Sequence, residues 1–338
     1  MTTTFLDAEL REQPEALARL LDRQHAQALD VADLFRRDDV QYIVIASRGS
    51  SSNAARYAQY LLGRAHRVPV AFATPSLYTL YEQPPRLDGA LVIGISQSGS
   101  SPDVGSVVEE ARRQGRPTIA ITNDASSPLA QAAEAVLPLE AGTEQSVAAT
   151  KTYLNSLGAL ALLFTASTRD ANAFAELRRM PELVAAQLER SWKDVDNIGE
   201  LAGGTVMARG VNFGTAHEIA LKMRELSGLL FEAYSSADLM HGPVAAIQPG
   251  WPVIAVAPSG PAQASMREAI EAVSARGARL IVISDDPGAE LPLVSGVPEW
   301  LSPLVAVVPG QLAARRIAEL RGGDLDRPGG LSKITLTR

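Results

Sequence analysis

The stretch ISQSGSSPDV, residues 95–104, leaves the apolar run ALVIG through four serines, a glutamine and a glycine. Ser101, Pro102 and Asp103 read as a helix start, with Ser101 at the N-cap, Pro102 at the first helical position and Asp103 in the first turn. Gly99 reads as a tight turn, which leaves Ser96, Gln97 and Ser98 without a local duty. A phosphate needs about three to six hydrogen-bond donors, and hydroxyls with backbone amides at a helix N-terminus provide them without a cation. The stretch SRGSSSNAARYAQYL repeats this chemistry, with Ser50, Ser51, Ser52 and Asn53 ahead of a helical pattern. Neither GxxxxGK[ST] nor GxGxxG occurs, so the two loops suit a small phosphorylated ligand better than a nucleotide. Elsewhere, Glu218, Lys222 and Glu225 stand at i, i+4 and i+7 in EIALKMRE, on one face of a helix. From the residues alone that face is either a solvated ion-pair ladder or a carboxylate set to move a proton.

The elements that must position these groups follow from the apolar pattern. Continuous β-rich runs recur at YIVIA (42–46), VPVAFA (68–73), ALVIGI (90–95), TIAIT (118–122), VMA (206–208), VIAVA (253–257) and RLIVIS (279–284), separated by helical patterns. Continuous rather than alternating runs mark parallel strands covered on both faces, hence a doubly wound α/β architecture. In such a sheet, ligands sit beyond the carboxyl ends of the strands, where both serine loops fall. ASRG ending at Gly49 answers to MARG ending at Gly210, and Ser98-Gly99 to Ser259-Gly260; TIAITND answers to LIVISDD ending at Asp286. The near-constant offset predicts two copies of one unit. The copies diverge at the loop: Ser96, Ser100 and Ser101 correspond to Ala257, Pro261 and Ala262, so the second copy has lost its hydroxyl donors. The expected division is an N-terminal helix plus first domain at 1–165, a helical linker at 166–197, a second domain at 198–320 and a C-terminal tail at 321–338.

With 46% hydrophobic and 20% charged residues, the chain has a globular composition. A net charge of −7 argues against nucleic acid as a partner. The absence of cysteine excludes disulfides, thiolate metal sites and a cysteine nucleophile in this sequence, and fits a cytoplasmic setting. MTTTFLDAELREQPEALARLL reads as an amphipathic helix rather than a signal peptide, and no apolar run approaches the roughly 20 residues that span a bilayer. His25, His66, His217 and His241 lack metal-ligand spacing, and HEIAL lacks the second histidine of a zinc helix. No metal, cofactor or membrane is expected.

The segments GSSSN, ISQSGSSPD, TND, AGTEQSVAATKTY and EIALKMRELSGLLFEAYSSADLMHGPVAAI, with EQP at 12–14 and the tail GGDLDRPGGLSKITLTR, resemble the sugar isomerase (SIS) family. The likeness is to the isomerase half of glucosamine-6-phosphate synthase and its deaminase-like relatives, and covers almost the whole chain. It implies two tandem flavodoxin-like SIS domains and a phosphorylated amino sugar as ligand. It also implies that Ser51, Ser96, Gln97, Ser98 and Ser101 bind the phosphate, Ser101 replacing a threonine. Glu225 matches the proton shuttle, Lys222 a lysine beside the sugar, and His241 the ring-opening histidine, contributed by the neighbouring subunit of a homodimer. Glu218 joins them as a candidate on the same helix. Val147 and Ala149 match backbone contacts to the sugar, and Glu144 a carboxylate near it, although Gly142-Thr143-Glu144 reads equally as a turn and helix start. Lys333 matches a tail lysine that reaches the active site. Gly329-Gly330 stand where the family usually has Arg-Asn, and Arg338 replaces a terminal acidic residue, which puts the position of Lys333 in question and suggests a lid.

The full synthase uses an N-terminal cysteine in a separate glutaminase domain, and this sequence carries neither. The expected reaction is therefore catabolic: glucosamine 6-phosphate is isomerised through a C1/C2 proton shuttle and hydrolysed to fructose 6-phosphate and ammonia. Alternatives are a fructosamine-6-phosphate deglycase, an ammonia-using synthase-like isomerase, a plain aldose–ketose phosphate isomerase and a non-catalytic sugar-phosphate sensor.

Overall fold

Apolar runs that are buried on both faces become parallel strands. In the computed structural model, which describes residues 4–192 and 203–333, β1 (Tyr42–Ser47), β2 (Val70–Phe72), β3 (Ala90–Ser96), β4 (Thr118–Thr122) and β5 (Ala135–Pro138) form a parallel sheet of order β2-β1-β3-β4-β5. A second parallel sheet, from β6 (Gly203–Ala208), β7 (Leu230–Ser235), β8 (Pro252–Val256), β9 (Arg279–Ser284) and β10 (Leu291–Pro292), has the order β10-β9-β8-β6-β7. Read from β7, this is the first sheet's order repeated, so the predicted pair of doubly wound, flavodoxin-like units is present. Strand β3 is buried at all seven positions, as its unbroken apolar run requires.

Three strands escape the apolar-run criterion, and all three lie at sheet edges: β5, β7 and β10. An edge strand has one neighbour and need not be apolar throughout. Thus Leu230 and Glu232 of β7 are exposed while Phe231 is buried, and β10 is only two residues long.

The chain divides into two compact units, one built on each sheet. The β1–β5 unit comprises residues 12–144, 151–181 and 332–338; the β6–β10 unit comprises 1–11, 145–150 and 182–331. Helices Ala171–Arg178 and Met180–Leu188 occupy the stretch read as a linker, whose residues 193–197 lie outside the described residues. Tail residues 334–338 also lie outside them. The N-terminal stretch is not one helix but two, Phe5–Arg11 and Gln13–Ala32. Pro14 is the cause: it has no N–H to give to Leu10 and its ring clashes with that carbonyl, but it is tolerated in the first turn of a new helix.

In each sheet the connection reverses direction beside its first strand, between β1 and β3 and between β6 and β8. Register places Ser47, the last residue of β1, opposite Ile95 of β3, so the chain leaves both strands side by side. Such a crevice is where doubly wound folds hold ligands.

Candidate active site

In the β1–β5 unit, the two serine loops flank the switch point. Helix Gly49–His66 begins directly after β1, with Ser51 and Ser52 in its first turn and Ser47 Oγ 3.1 Å from Ser52 Oγ. After β3, Ser96 Oγ accepts the Gly99 N–H at 3.2 Å and Ser98 Oγ accepts the Ser100 N–H at 3.3 Å. Each hydroxyl has one proton to donate, and acceptance from the loop's own amides leaves that proton for a ligand. Gln97 contributes its carbonyl to the turn, accepting the Asn123 N–H at 3.0 Å. Gly99 has φ +64°, and a Cβ there would overlap the Ser127 side chain, so only glycine fits.

Ser101 departs from the expected capping role. It occupies the N-cap position of helix Pro102–Arg113 with extended backbone, but its side chain makes no capping bond. Its Oγ is buried without a hydrogen-bond partner among the described residues. A buried hydroxyl at a helix N-terminus with nothing to bond is costly unless a ligand satisfies it, so this atom favours the phosphate reading over the capping one.

Asp103 also does more than sit in a first turn. Its side chain is 2% exposed and accepts Arg48 Nη2 at 2.6 Å and Nε at 3.0 Å. Arg48 ends the β1 loop and Asp103 opens the β3 helix, so this ion pair fastens the two serine loops together. Sequence reasoning missed it, because the partners are 55 positions apart; the available signal was a cation and an anion at equivalent strand exits.

Glu144 and Lys333, 189 positions apart, meet at 2.8 Å within the same unit. The Glu144 side chain is fully buried and also accepts the Thr152 N–H at 3.0 Å and hydroxyl at 2.7 Å. Burial by itself pushes this carboxyl up, but the Lys333 ammonium and the Lys333 and Thr152 hydrogen bonds outweigh it and hold it below the ordinary glutamate value. Lys333 is thus anchored despite Gly329-Gly330. Beside it, the buried Lys151 donates to the Thr143 carbonyl at 2.7 Å and pairs with Glu12 of the EQP motif at 2.5 Å.

In the β6–β10 unit, helix Phe213–Lys222 follows β6 at the position that helix Gly49–His66 takes after β1. Gly310 of helix Ser302–Leu320 packs it closely; any side chain there would overlap Ile219. The α-helix continues as a π turn, Met223–Ser227, a distortion common at functional sites. Lys222, fully buried, lies 3.4 Å from the fully buried Glu218 and pairs with Glu225, which is 25% exposed. The three side chains therefore meet as the spacing predicted, but in the interior rather than on a solvated face. Glu225 opens into a cavity of about 380 Å³ lined also by Arg224, Gly228, Asp324, Pro328 and Gly329, a volume suited to a small ligand. His241 does not line it; that residue is exposed, at the C-terminal end of helix Ser236–Met240. Val147 gives its N–H to the Asp326 carbonyl at 3.0 Å, leaving its own carbonyl as the group it can offer a sugar, and Ala149 is half-buried two residues on.

The second copy's loop has been filled from within. Glu299 Oε1 accepts the Ala262 N–H at 3.0 Å, at the residue corresponding to Ser101, and Asp285 Oδ1 accepts the Ser259 N–H at 2.7 Å. Carboxylates of the chain itself thus take amides that an anion would need.

Two doubly wound repeats, the first with its serine loops at the switch point and the second with Glu218, Lys222 and Glu225 at the end of the helix after β6, define the class, and comparison with known proteins identifies the family. The SIS domain model matches residues 35–166 and 205–295, and the chain belongs to that family. It is 33% identical over 351 residues to the glutamine–fructose-6-phosphate aminotransferase (isomerizing) of Thermus thermophilus, matching 97% of this chain and 58% of that protein. The chain thus spans a little over half the length of such relatives. A crystal structure of a candidate phosphosugar isomerase from Silicibacter pomeroyi DSS-3 superposes with a TM-score of 0.86 at 33% identity, over 96% of this chain and 99% of the other. The C-terminal domain of glucosamine-fructose-6-phosphate aminotransferase from Francisella tularensis superposes with a TM-score of 0.84 at 26% identity, over 97% and 99%. Among the described residues, no helix is long and apolar enough to cross a membrane.

Proposed function

We propose that this chain is an amino-sugar phosphate isomerase that converts glucosamine 6-phosphate and water into fructose 6-phosphate and ammonia. The observation that carries the reading is Glu225, ion-paired to a buried lysine and open to a cavity of ligand size. On the open-chain sugar, Glu225 takes the C2 proton as the C1 carbonyl oxygen gains one, giving an enolamine, and then returns a proton to C1 as the nitrogen gives one up. The product is a 2-imino sugar, which water hydrolyses to the ketone and ammonia. Lys222 holds Glu225 in place and Glu218 balances the lysine charge. Ser51, Ser96, Gln97, Ser98 and Ser101 bind the phosphate. Glu144 and Lys333 serve the sugar, and Val147 and Ala149 contact it through their backbones. His241 serves the ring oxygen of a neighbouring subunit's substrate in a homodimer; its exposure and its absence from the Glu225 cavity support that assignment.

The aminotransferase name of the Thermus relative favours a second reading, the same isomerisation run toward glucosamine 6-phosphate from fructose 6-phosphate and ammonia. Ammonia and fructose 6-phosphate released from glucosamine 6-phosphate are the expected products; formation of glucosamine 6-phosphate alone selects the second reading, and neither reaction overturns both. Mixing inactive Glu225→Gln and His241→Ala proteins should restore activity, since a mixed dimer assembles one intact site. Failure to do so removes His241 from the partner role.

A further inference from the structure

Helix Phe5–Arg11 belongs to the β6–β10 unit, and its polar groups reach one short segment, helix Ser302–Leu320 and the tail. Glu9, 4% exposed, accepts the backbone N–H groups of Gln145 and, at 3.3 Å, Ser146. The next amide, that of Val147, donates to the Asp326 carbonyl at 3.0 Å. The Asp326 carboxylate in turn accepts the Leu6 N–H at 2.9 Å, which closes the ring back onto the helix. Asp7 adds a clasp to Arg315 at 2.7 Å. Leu6 and Leu10 pack into the same core as Ala220, Met223 and Leu226, the residues around Lys222 and Glu225.

Asp326 is the joint of this ring. It stands between Asp324 and Pro328, both of which line the cavity that Glu225 enters. Its neighbour Leu325 is buried in the core, and Asp324 Oδ1 accepts the Asp326 and Arg327 amides at 3.0 and 2.9 Å, which makes this part of the tail a formed turn. We propose that Glu9 and Asp326 are positioning residues: through them the N-terminal helix sets the wall of the Glu225 cavity and the orientation of the segment Gln145–Thr150. Neither acts on the substrate. A carboxylate accepting two consecutive amides fixes the path of a segment with no regular secondary structure of its own, and a carboxylate on a helix-borne amide fixes the wall. The effect on catalysis rests on the isomerase reading, whereas the ring itself does not.

Two measurements on the full chain separate those layers. Hydrogen–deuterium exchange reads the ring: Asp326→Ala should speed exchange at Leu6, at 145–147 and at 324–331 together, while the serine loops of the β1–β5 unit keep their protection. Exchange unchanged at 145–147, or raised throughout the chain, overturns the proposal whatever the enzyme does. Proton exchange at C2 of the sugar phosphate in deuterated water reads the consequence. Asp326→Ala and Glu9→Ala should each lower kcat by about 10- to 100-fold, the cost of misplacing a site by up to about 1 Å, with the dissociation constant for inorganic phosphate unchanged. Glu9→Gln keeps an acceptor oxygen and should regain most of the rate. Full activity in both alanine variants, or a parallel loss of phosphate binding, overturns the positioning role. If the wild-type protein exchanges no C2 proton at all, the isomerase reading has failed, and the exchange pattern in Asp326→Ala still decides whether the ring exists.

Discussion

Arg48→Met puts the fastening of the two serine loops to the test. The substitution keeps the aliphatic stem and removes a guanidinium that makes two hydrogen bonds to Asp103, whose side chain is 2% exposed. Removing one partner of a buried pair costs about 3–5 kcal/mol, because the other charge is left uncompensated. Arg48 is itself 50% exposed, so water screens the pair and reaches the carboxylate once the arginine is gone, which reduces the expected loss to about 2 kcal/mol. For a unit of this size that is a fall in thermal midpoint of about 4–8 °C. The pair Arg48→Met/Asp103→Asn removes the stranded charge and should recover most of the stability, yet still bind inorganic phosphate more weakly than wild type, because nothing then ties the β1 loop to the β3 helix. Thermal unfolding of the two single variants and the double variant, with phosphate titrations on each, completes the cycle. A single variant within about 0.5 kcal/mol of wild type, the ordinary range for a surface change, refutes the reasoning. So does a double variant no more stable than Arg48→Met.

Ser101→Ala should not destabilise the ligand-free protein, since the hydroxyl bonds nothing among the described residues, while weakening inorganic phosphate binding by about tenfold through loss of one charge-assisted hydrogen bond. Lost stability with intact affinity would return the residue to capping. Gly99→Ala meets both a positive φ and the Ser127 side chain, and should destabilise by about 1–3 kcal/mol and abolish phosphate binding; wild-type behaviour in both assays would show that the turn has other conformations open to it. The Glu144 carboxyl is held below the ordinary glutamate value of 4.5, so the stability it contributes is complete above that value and is lost as pH falls through its lower folded value. Thermal midpoints of wild type and Lys333→Met should therefore differ near neutral pH and converge on acidification as Glu144 becomes protonated. A gap that stays constant down to about pH 2, well below the ordinary carboxylate range, removes Glu144 as the lysine's partner.

The apolar runs alone determine much of this protein. Burial on both faces forces a parallel strand to be apolar along its length, so the central strands β1, β3, β4, β8 and β9 are legible, and the near-constant offset between the copies reveals the repeat. Of the edge strands, β7 is not legible because it mixes exposed polar and buried apolar residues, and β5 and β10 are not because they are only four and two residues long. The serine loops are legible for a related reason: a strand exit that needs one turn residue and has several hydroxyls carries a surplus that local structure cannot explain. Within one helix, spacing is geometry, and the Glu218, Lys222 and Glu225 trio could be placed together from its sequence positions, although not whether water or protein surrounds it.

Tertiary structure decided what spacing cannot encode. Lys222 is a buried cation rather than a surface charge, and helix Ser302–Leu320 packs close against its helix where Gly310 meets Ile219. Arg48 meets Asp103, Lys333 meets Glu144, and Glu9 meets the amides of 145 and 146 across 55, 189 and more than 130 positions. Ser101 looked like a cap because its position is one; that its hydroxyl bonds nothing among the described residues is visible only in the structure. Local patterns report which face of an element is buried, since that is a property of consecutive residues. Which charge answers which, and which polar atom is left for a ligand, is settled only when distant segments are brought within hydrogen-bond distance.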